Sequence, residues 1–258
     1  MKNNQQKNAR VIKRRALVPP DFGAFDPNVS AALLEAASLI SDLSPLYPAR
    51  VLDMPAAWRA TFTHTLSEHF SQFNAPRTKA VSSPDEAGAL QRWQLDDADL
   101  QSSETFITAL AKLNGHLVGC HPTLRTGTIG TEPDLNGSSI EFPSLVDTAH
   151  QIDWLRCRIR EERDKVPLLL SAICSLPIIT NSHLFTDGNG RLSRAVFNHI
   201  LHRIGMSSDV YLPVYEFMDA SKGGFLIRLR QAEIQNEWEP FVLFMANFVR
   251  FCSSNNIK

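Results

Sequence analysis

The chain has 258 residues, 43% of them hydrophobic and 21% charged, with a formal net charge of −1. That composition suits one large soluble core, and a charge balance this even does not mark a nucleic-acid-binding surface. No apolar run reaches the ~20 residues that span a bilayer, and the basic N-terminus lacks the apolar stretch of a secretory signal. Cys120, Cys157, Cys174 and Cys252 are scattered without Cys-x-x-Cys spacing. Reduced core cysteines and a cytoplasmic setting are therefore expected, and structural zinc is not.

Residues 1–20 hold Lys2, Lys7, Arg10, Lys13, Arg14 and Arg15 before the first acid, Asp21, and read as a flexible basic arm. Asp26-Pro27 opens a helix whose apolar residues run from Ala31 to Leu43, and Pro45 and Pro48 stop it. A second helix is expected from near Asp53, with Trp58, Phe62, Leu66 and Phe70 on one face as core. His64 and His69, five apart, read as surface residues. The polar stretch 74–83 makes a boundary. Ser83-Pro84-Asp85-Glu86 then has the pattern of a capping box, with Ser83 reaching forward and Glu86 reaching back.

A helix opening at Ser103 carries Phe106, Ile107, Leu110, Leu113 and Leu117 and ends at Gly119. Pro122, Gly127, Gly130, Pro133 and Asn136-Gly137 break any helix from 121 to 142. Short β-like pieces at 126–129 and 138–142 flank the Asn136-Gly137 turn. Helices are predicted from Pro143 through Ile159 and from Pro167 to Ser182. The second is so apolar that it must be buried, with Pro177 interrupting it. Gly205 to Pro213 reads as a connection. Two final helices are expected at about Phe225–Ile234 and Pro240–Phe251.

The densest chemistry lies in His183-Leu-Phe185-Thr-Asp187-Gly188-Asn189-Gly190-Arg191-Leu-Ser-Arg194, followed by a helical pattern at Ala195, Val196, Ile200, Leu201 and Ile204. A Gly-Asn-Gly turn opening a helix leaves backbone N–H groups unpaired at the positive end of the helix dipole, which suits phosphate. Arg191 and Arg194, three apart, both project near that end. Asp187 offers the carboxylate oxygen that a magnesium ion bridging phosphates prefers. His183, just before the turn, is placed to act as a general base.

This string resembles the Fic signature, His-x-Phe-x-Asp/Glu-Gly-Asn-Gly-Arg-x-x-Arg, at every defined position. The resemblance implies an all-α helical bundle with a short β-hairpin flap at 124–142 following Arg125. A Fic-like catalytic domain then covers 100–252, and 21–99 form a helical extension packed on it. It further implies a protein adenylyltransferase that moves AMP from ATP-Mg to a Ser, Thr or Tyr hydroxyl of a target protein bound along the flap. In that reading Gly188, Asn189, Gly190, Arg191 and Arg194 form the phosphate site. Asn189 donates its amide to the α-phosphate, Arg194 grips the γ-phosphate, and Phe185 anchors the loop. The same scaffold is also used to transfer UMP, GMP or phosphate. A low-turnover ATP-binding module in a toxin–antitoxin complex is the alternative of another class, and an antitoxin or a homodimer partner stays open. Ser182 and Leu184 stand where commoner family strings have Ile and Pro. Ser82 to Glu86 matches the spacing of the family's inhibitory motif, whose Glu pairs with the second motif Arg, but Ala87 replaces its Gly or Asn. The capping box accounts for the same residues without regulation, so Glu86→Gly is expected from sequence to raise automodification only modestly.

Overall fold

A computed structural model describes residues 11–43, 83–131, 139–221 and 223–254. Two short strands are present, β1 (Val11–Lys13) and β2 (Ser139–Glu141). The helices are α1 (Pro27–Leu39), α2 (Ser83–Gln91), α3 (Ser103–Val118), α4 (Leu145–Glu161), α5 (Lys165–Ser182), α6 (Asn189–Ile204), α7 (Val214–Ala220), α8 (Gly224–Arg230) and α9 (Glu239–Ser254). The helix expected from Asp53, with His64 and His69, lies outside the described residues, as do Ser82 and the Asn136-Gly137 turn.

Several helix ends follow from their sequences. Asp26 Oδ1 accepts the Asn28 N–H at 2.8 Å, and Pro27 fills the first helical position, so α1 starts where the Asp-Pro pair places it. Ser102 and Thr105 exchange the two bonds of a capping box at the start of α3, and Gly119 closes it at φ 73°. Ser144 caps α4 by accepting the Asp147 N–H at 3.1 Å. Helix α7 begins where the expected connection ends and has no counterpart among the predicted helices. Pro213 sits at its N-cap, and Val214 and Phe217 are buried beneath it.

The centre of the bundle is α5, buried along nearly its whole length and packed against α6, α4 and α1. By length and composition it is the one helix among the described residues that matches a membrane span, but 78% of that stretch is buried inside the protein. It is a core helix, as its all-round apolarity predicted. Buried residues from Leu33 on α1 to Cys252 on α9 form one continuous core. Residues of α1 and α2 share this core with those after residue 100. All four cysteines are free.

The flap is partly as expected. Thr131 N–H donates to Ile140 O at 2.8 Å and Phe142 N–H to Ile129 O at 2.9 Å, giving an antiparallel pairing about Gly130 and Glu141. On its first side the pairing is a single bridge at Gly130, at the end of the predicted 126–129 piece. The other edge of β2 is also paired: β1 runs parallel to it, with Val11, Ile12 and Lys13 opposite Ser139, Ile140 and Glu141. Residues 11–20 are therefore not the free arm expected. Leu17 is buried, its N–H donates to Gln151 Oε1 at 2.7 Å, and Trp238 Nε1 donates to Val18 O at 3.0 Å.

Two partly buried imidazoles set an expected acid response. Burial pulls His183 down to about 4 and His199 to about 3, against about 6.5 in an unfolded chain. The unfolded state then binds more protons between those values, so stability is full above about pH 6.5 and falls as pH drops toward 4. Urea midpoints measured from pH 7 to 4 should fall steadily, and His199→Phe should flatten the slope.

Candidate active site

The site sits where α5 ends, turns and restarts as α6. His183 is the C-cap of α5 in the left-handed region, at φ 46° and ψ 52°, which turns the chain out of the helix. The loop that follows is held from both sides. Arg125 N–H donates to Leu184 O at 3.0 Å and Thr186 N–H to Thr123 O at 3.1 Å, so the loop pairs with the base of the flap. Phe185 is fully buried beneath it, the anchor expected; truncation of such a side chain costs about 3–5 kcal/mol.

Asn189 holds the loop together from within. Its Oδ1 accepts the Phe185 N–H at 3.0 Å and its Nδ2 donates to Phe185 O at 2.7 Å. Both ends of the amide thus staple the loop, and one Nδ2 hydrogen is left over for a ligand. The backbone N–H groups at the start of α6, which no side chain caps, are further donors suited to phosphate.

Gly188 is required for two reasons. Its φ of 84° disfavours any side chain, and a Cβ there would lie 2.2 Å from Asn114 Oδ1 and 2.6 Å from Val118 Cγ1. The turn is thus pressed onto α3, and Asn114 Nδ2 donates to Asp187 O at 2.9 Å. Gly188→Ala should cost roughly 2–4 kcal/mol from strain plus overpacking, read as a lower urea midpoint at an unchanged m-value.

His183 has the character of a base. Desolvation is the main reason its imidazole is pulled down to about 4, with Arg14 and Arg125 adding to the shift against a hydrogen bond to the Thr180 backbone. It is neutral at pH 7 and can accept a proton. The Phe142 ring, at the end of β2, stacks on it with centroids 4.0 Å apart and planes 22° from parallel. Arg125 fixes the same region: its guanidinium donates to Ser182 O at 2.9 Å and to Pro143 O, tying the flap to the residue before His183.

Asp187 is largely exposed. Its Oδ1 accepts the Gly188 N–H at 2.6 Å and its Oδ2 lies 3.1 Å from Arg191 Nη2. Arg191 also donates to Leu117 O at 2.9 Å, which holds it at the mouth of the turn. One open carboxylate beside an uncapped helix end fits a magnesium ion, which takes one or two carboxylates and completes its shell with phosphates and water. Among the described residues no group of three or more His, Cys, Asp or Glu side chains forms a metal cage.

Arg194 is the surprise. Glu86, fully buried on α2, receives its Nε at 3.0 Å on Oε1 and 3.1 Å on Oε2, and its Nη2 as well. Tyr211 donates its hydroxyl to Glu86 Oε2 at 2.9 Å. The Glu86 carboxylate therefore reaches the second arginine of the motif, as the inhibitory spacing implies. Burial raises the Glu86 pKa, opposed by its bonds to Arg194 and Tyr211. Tyr211 lies in what read as a plain connection, and no motif signalled it. The cavity beside His183 and Arg194, lined also by Asn189, Phe142, Phe225 and Arg14 among others, holds about 230 Å³. That is below the ~300 Å³ lower bound usual for ligand sites.

No protein-family model matches this sequence, and no curated protein does. Solved structures do match. A Fic family protein from Desulfovibrio desulfuricans G20 aligns with TM-score 0.58 at 16% identity, over 93% of this chain and 76% of that one. The chain has the Fic fold. Fic-1 from C. elegans is similar at TM-score 0.52 and 17% identity, over 89% of this chain and 73% of that one. The Fic fold accounts for the arrangement of the helical bundle.

Proposed function

We propose that this Fic-fold chain is a protein adenylyltransferase, held closed in the described state by Glu86. The observation that carries the reading is a desolvated, neutral His183 beside an uncapped helix N-terminus that also presents Arg191 and Arg194. Proton acceptance and phosphate binding are the two things nucleotidyl transfer to a hydroxyl requires.

The target hydroxyl oxygen attacks the α-phosphorus of ATP while His183 takes its proton. The bond from that phosphorus to the bridging oxygen breaks, and pyrophosphate leaves. Negative charge grows on the departing group, where the N–H groups of the first turn of α6 and the Arg191 guanidinium offset it. Asp187 would hold magnesium, which adds Lewis-acid stabilisation of phosphate charge when bound. Arg194 is the group suited to the γ-phosphate, but it reaches one only after Glu86 lets go. The free cysteines suit a cytoplasmic setting.

The reading is tested by incubating the Glu86→Gly chain with a cell lysate and ATP labelled at either the α- or the γ-phosphate. Protein labelled from the α-position, with pyrophosphate released, supports it. Label from the γ-position instead assigns kinase chemistry. ATP binding with no transfer favours the low-turnover module, for which the occupied Arg194 is the specific observation.

A further inference from the structure

Strand β2 leads into Phe142, whose ring stacks on His183, so its outer edge is a backbone edge along which an extended chain could approach that imidazole. Edge strands recruit extended segments through their unpaired N–H and C=O groups. Here the protein's own N-terminal segment already fills the edge. Arg14 N–H donates to Glu141 O at 2.9 Å, and Lys13 Nζ lies 3.4 Å from Glu141 Oε1 across the pair.

The segment is fastened by the residues immediately before His183. Asn181 Nδ2 donates to Arg15 O at 2.9 Å, and Ser182, through Gln151, reaches the Leu17 N–H. Ser182 is one of the two departures from the commoner motif string, and this is its use here. Arg14 then enters the site: its guanidinium lies 4.6 Å over the Phe142 ring and 3.4 Å from buried Glu233. The occupant also lacks the reacting group. From Met1 to Val29 there is no Ser, Thr or Tyr.

We infer that Val11–Arg14 is a built-in pseudosubstrate: it occupies the acceptor edge of β2 without offering a hydroxyl, and a target's extended segment must displace it. The inference rests on the transferase reading for its consequence, though not for the occupancy itself. The chemistry of the edge defines the displacing segment. It needs an aliphatic residue opposite Ile140, where Ile12 now lies, and a basic one opposite Glu141, where Lys13 lies, with the acceptor hydroxyl close after them. This lock acts on the acceptor side and is separate from the Glu86–Arg194 pair on the phosphate side.

Two measurements test it. The first needs no activity: a fluorescent peptide spanning Asn8–Val18 is titrated into intact chain and into the Ile12→Pro/Lys13→Glu variant, which leaves Arg14 and Leu17 in place. Binding to the variant at least roughly tenfold tighter than to the intact chain is expected, because the tethered strand competes at high effective concentration. Equal binding, or none to the variant, overturns the occupancy. In the second, Val11→Cys/Ser139→Cys is built with Cys120→Ser and Glu86→Gly, so that oxidation pins β1 to β2 and reduction frees it. Failure of the disulfide to form contradicts the register. Transfer of α-label to lysate protein should fall at least roughly tenfold on oxidation and return on reduction, while ATP affinity stays the same. Equal transfer in both states overturns the pseudosubstrate. If the peptide discriminates as expected but neither redox state transfers, the occupancy stands and the transferase reading is what fails.

Discussion

Glu86→Gly is expected to raise transfer by roughly a hundredfold to a thousandfold. Breaking a buried, hydrogen-bonded charge pair costs about 3–5 kcal/mol, and each 1.4 kcal/mol is a factor of ten in the population able to bind. In the intact chain ATP must meet that cost before its γ-phosphate reaches Arg194, since Glu86 receives both the Nε and the Nη2 of that guanidinium. The variant removes the competitor. It also leaves Arg194 buried without its carboxylate, so the free protein should melt lower than the intact chain. ATP should then raise its melting temperature more than it raises that of the intact chain. Rates for automodification and melting curves with and without ATP-Mg check both parts. A rise of only a few-fold would restore the modest effect expected from sequence.

His183→Ala in the Glu86→Gly chain is expected to lower kcat by roughly a hundredfold to ten-thousandfold, the usual contribution of a positioned general base. The KM for ATP should hardly change, because in the proposed reaction His183 takes the acceptor's proton and binds no phosphate. The pH profile separates this role from a structural one. Burial holds His183 at about 4, so it stays unprotonated through the acid range and the low-pH limb of kcat/KM should fall near 4. A limb near 6.5 would mean an imidazole exposed to water in the working enzyme.

How much of this was legible in the sequence depends on which contacts are local. The loop from His183 to Arg194 declares itself because its functional groups lie within a dozen residues and on one helix start. The caps at Asp26, Ser102 and Gly119 are local for the same reason. Glu86 is not: its partner is 108 positions away, and a Ser83-Pro-Asp-Glu86 string satisfies the capping-box pattern equally well. Only the packing of α2 beside α6 decides between them. Asn189 is legible only in half: its place in the motif suggests a ligand donor, while its bonds to Phe185 are visible only once the loop is folded. The basic segment at 11–15 looked solvated because charge dominates its composition, yet Arg14 finds Glu233 and Phe142 across the fold. Tyr211 and α7 gave no periodic signal in so short a stretch.

The most direct test of the account compares α-phosphate label on protein after incubation of ATP-Mg with three chains: intact, Glu86→Gly, and Glu86→Gly/His183→Ala. Little label with the first, abundant label with the second and a return to background with the third is the predicted result. Equal labelling of all three, or label in the third matching the second, would contradict a site in which Glu86 holds the phosphate side closed and His183 takes the acceptor's proton.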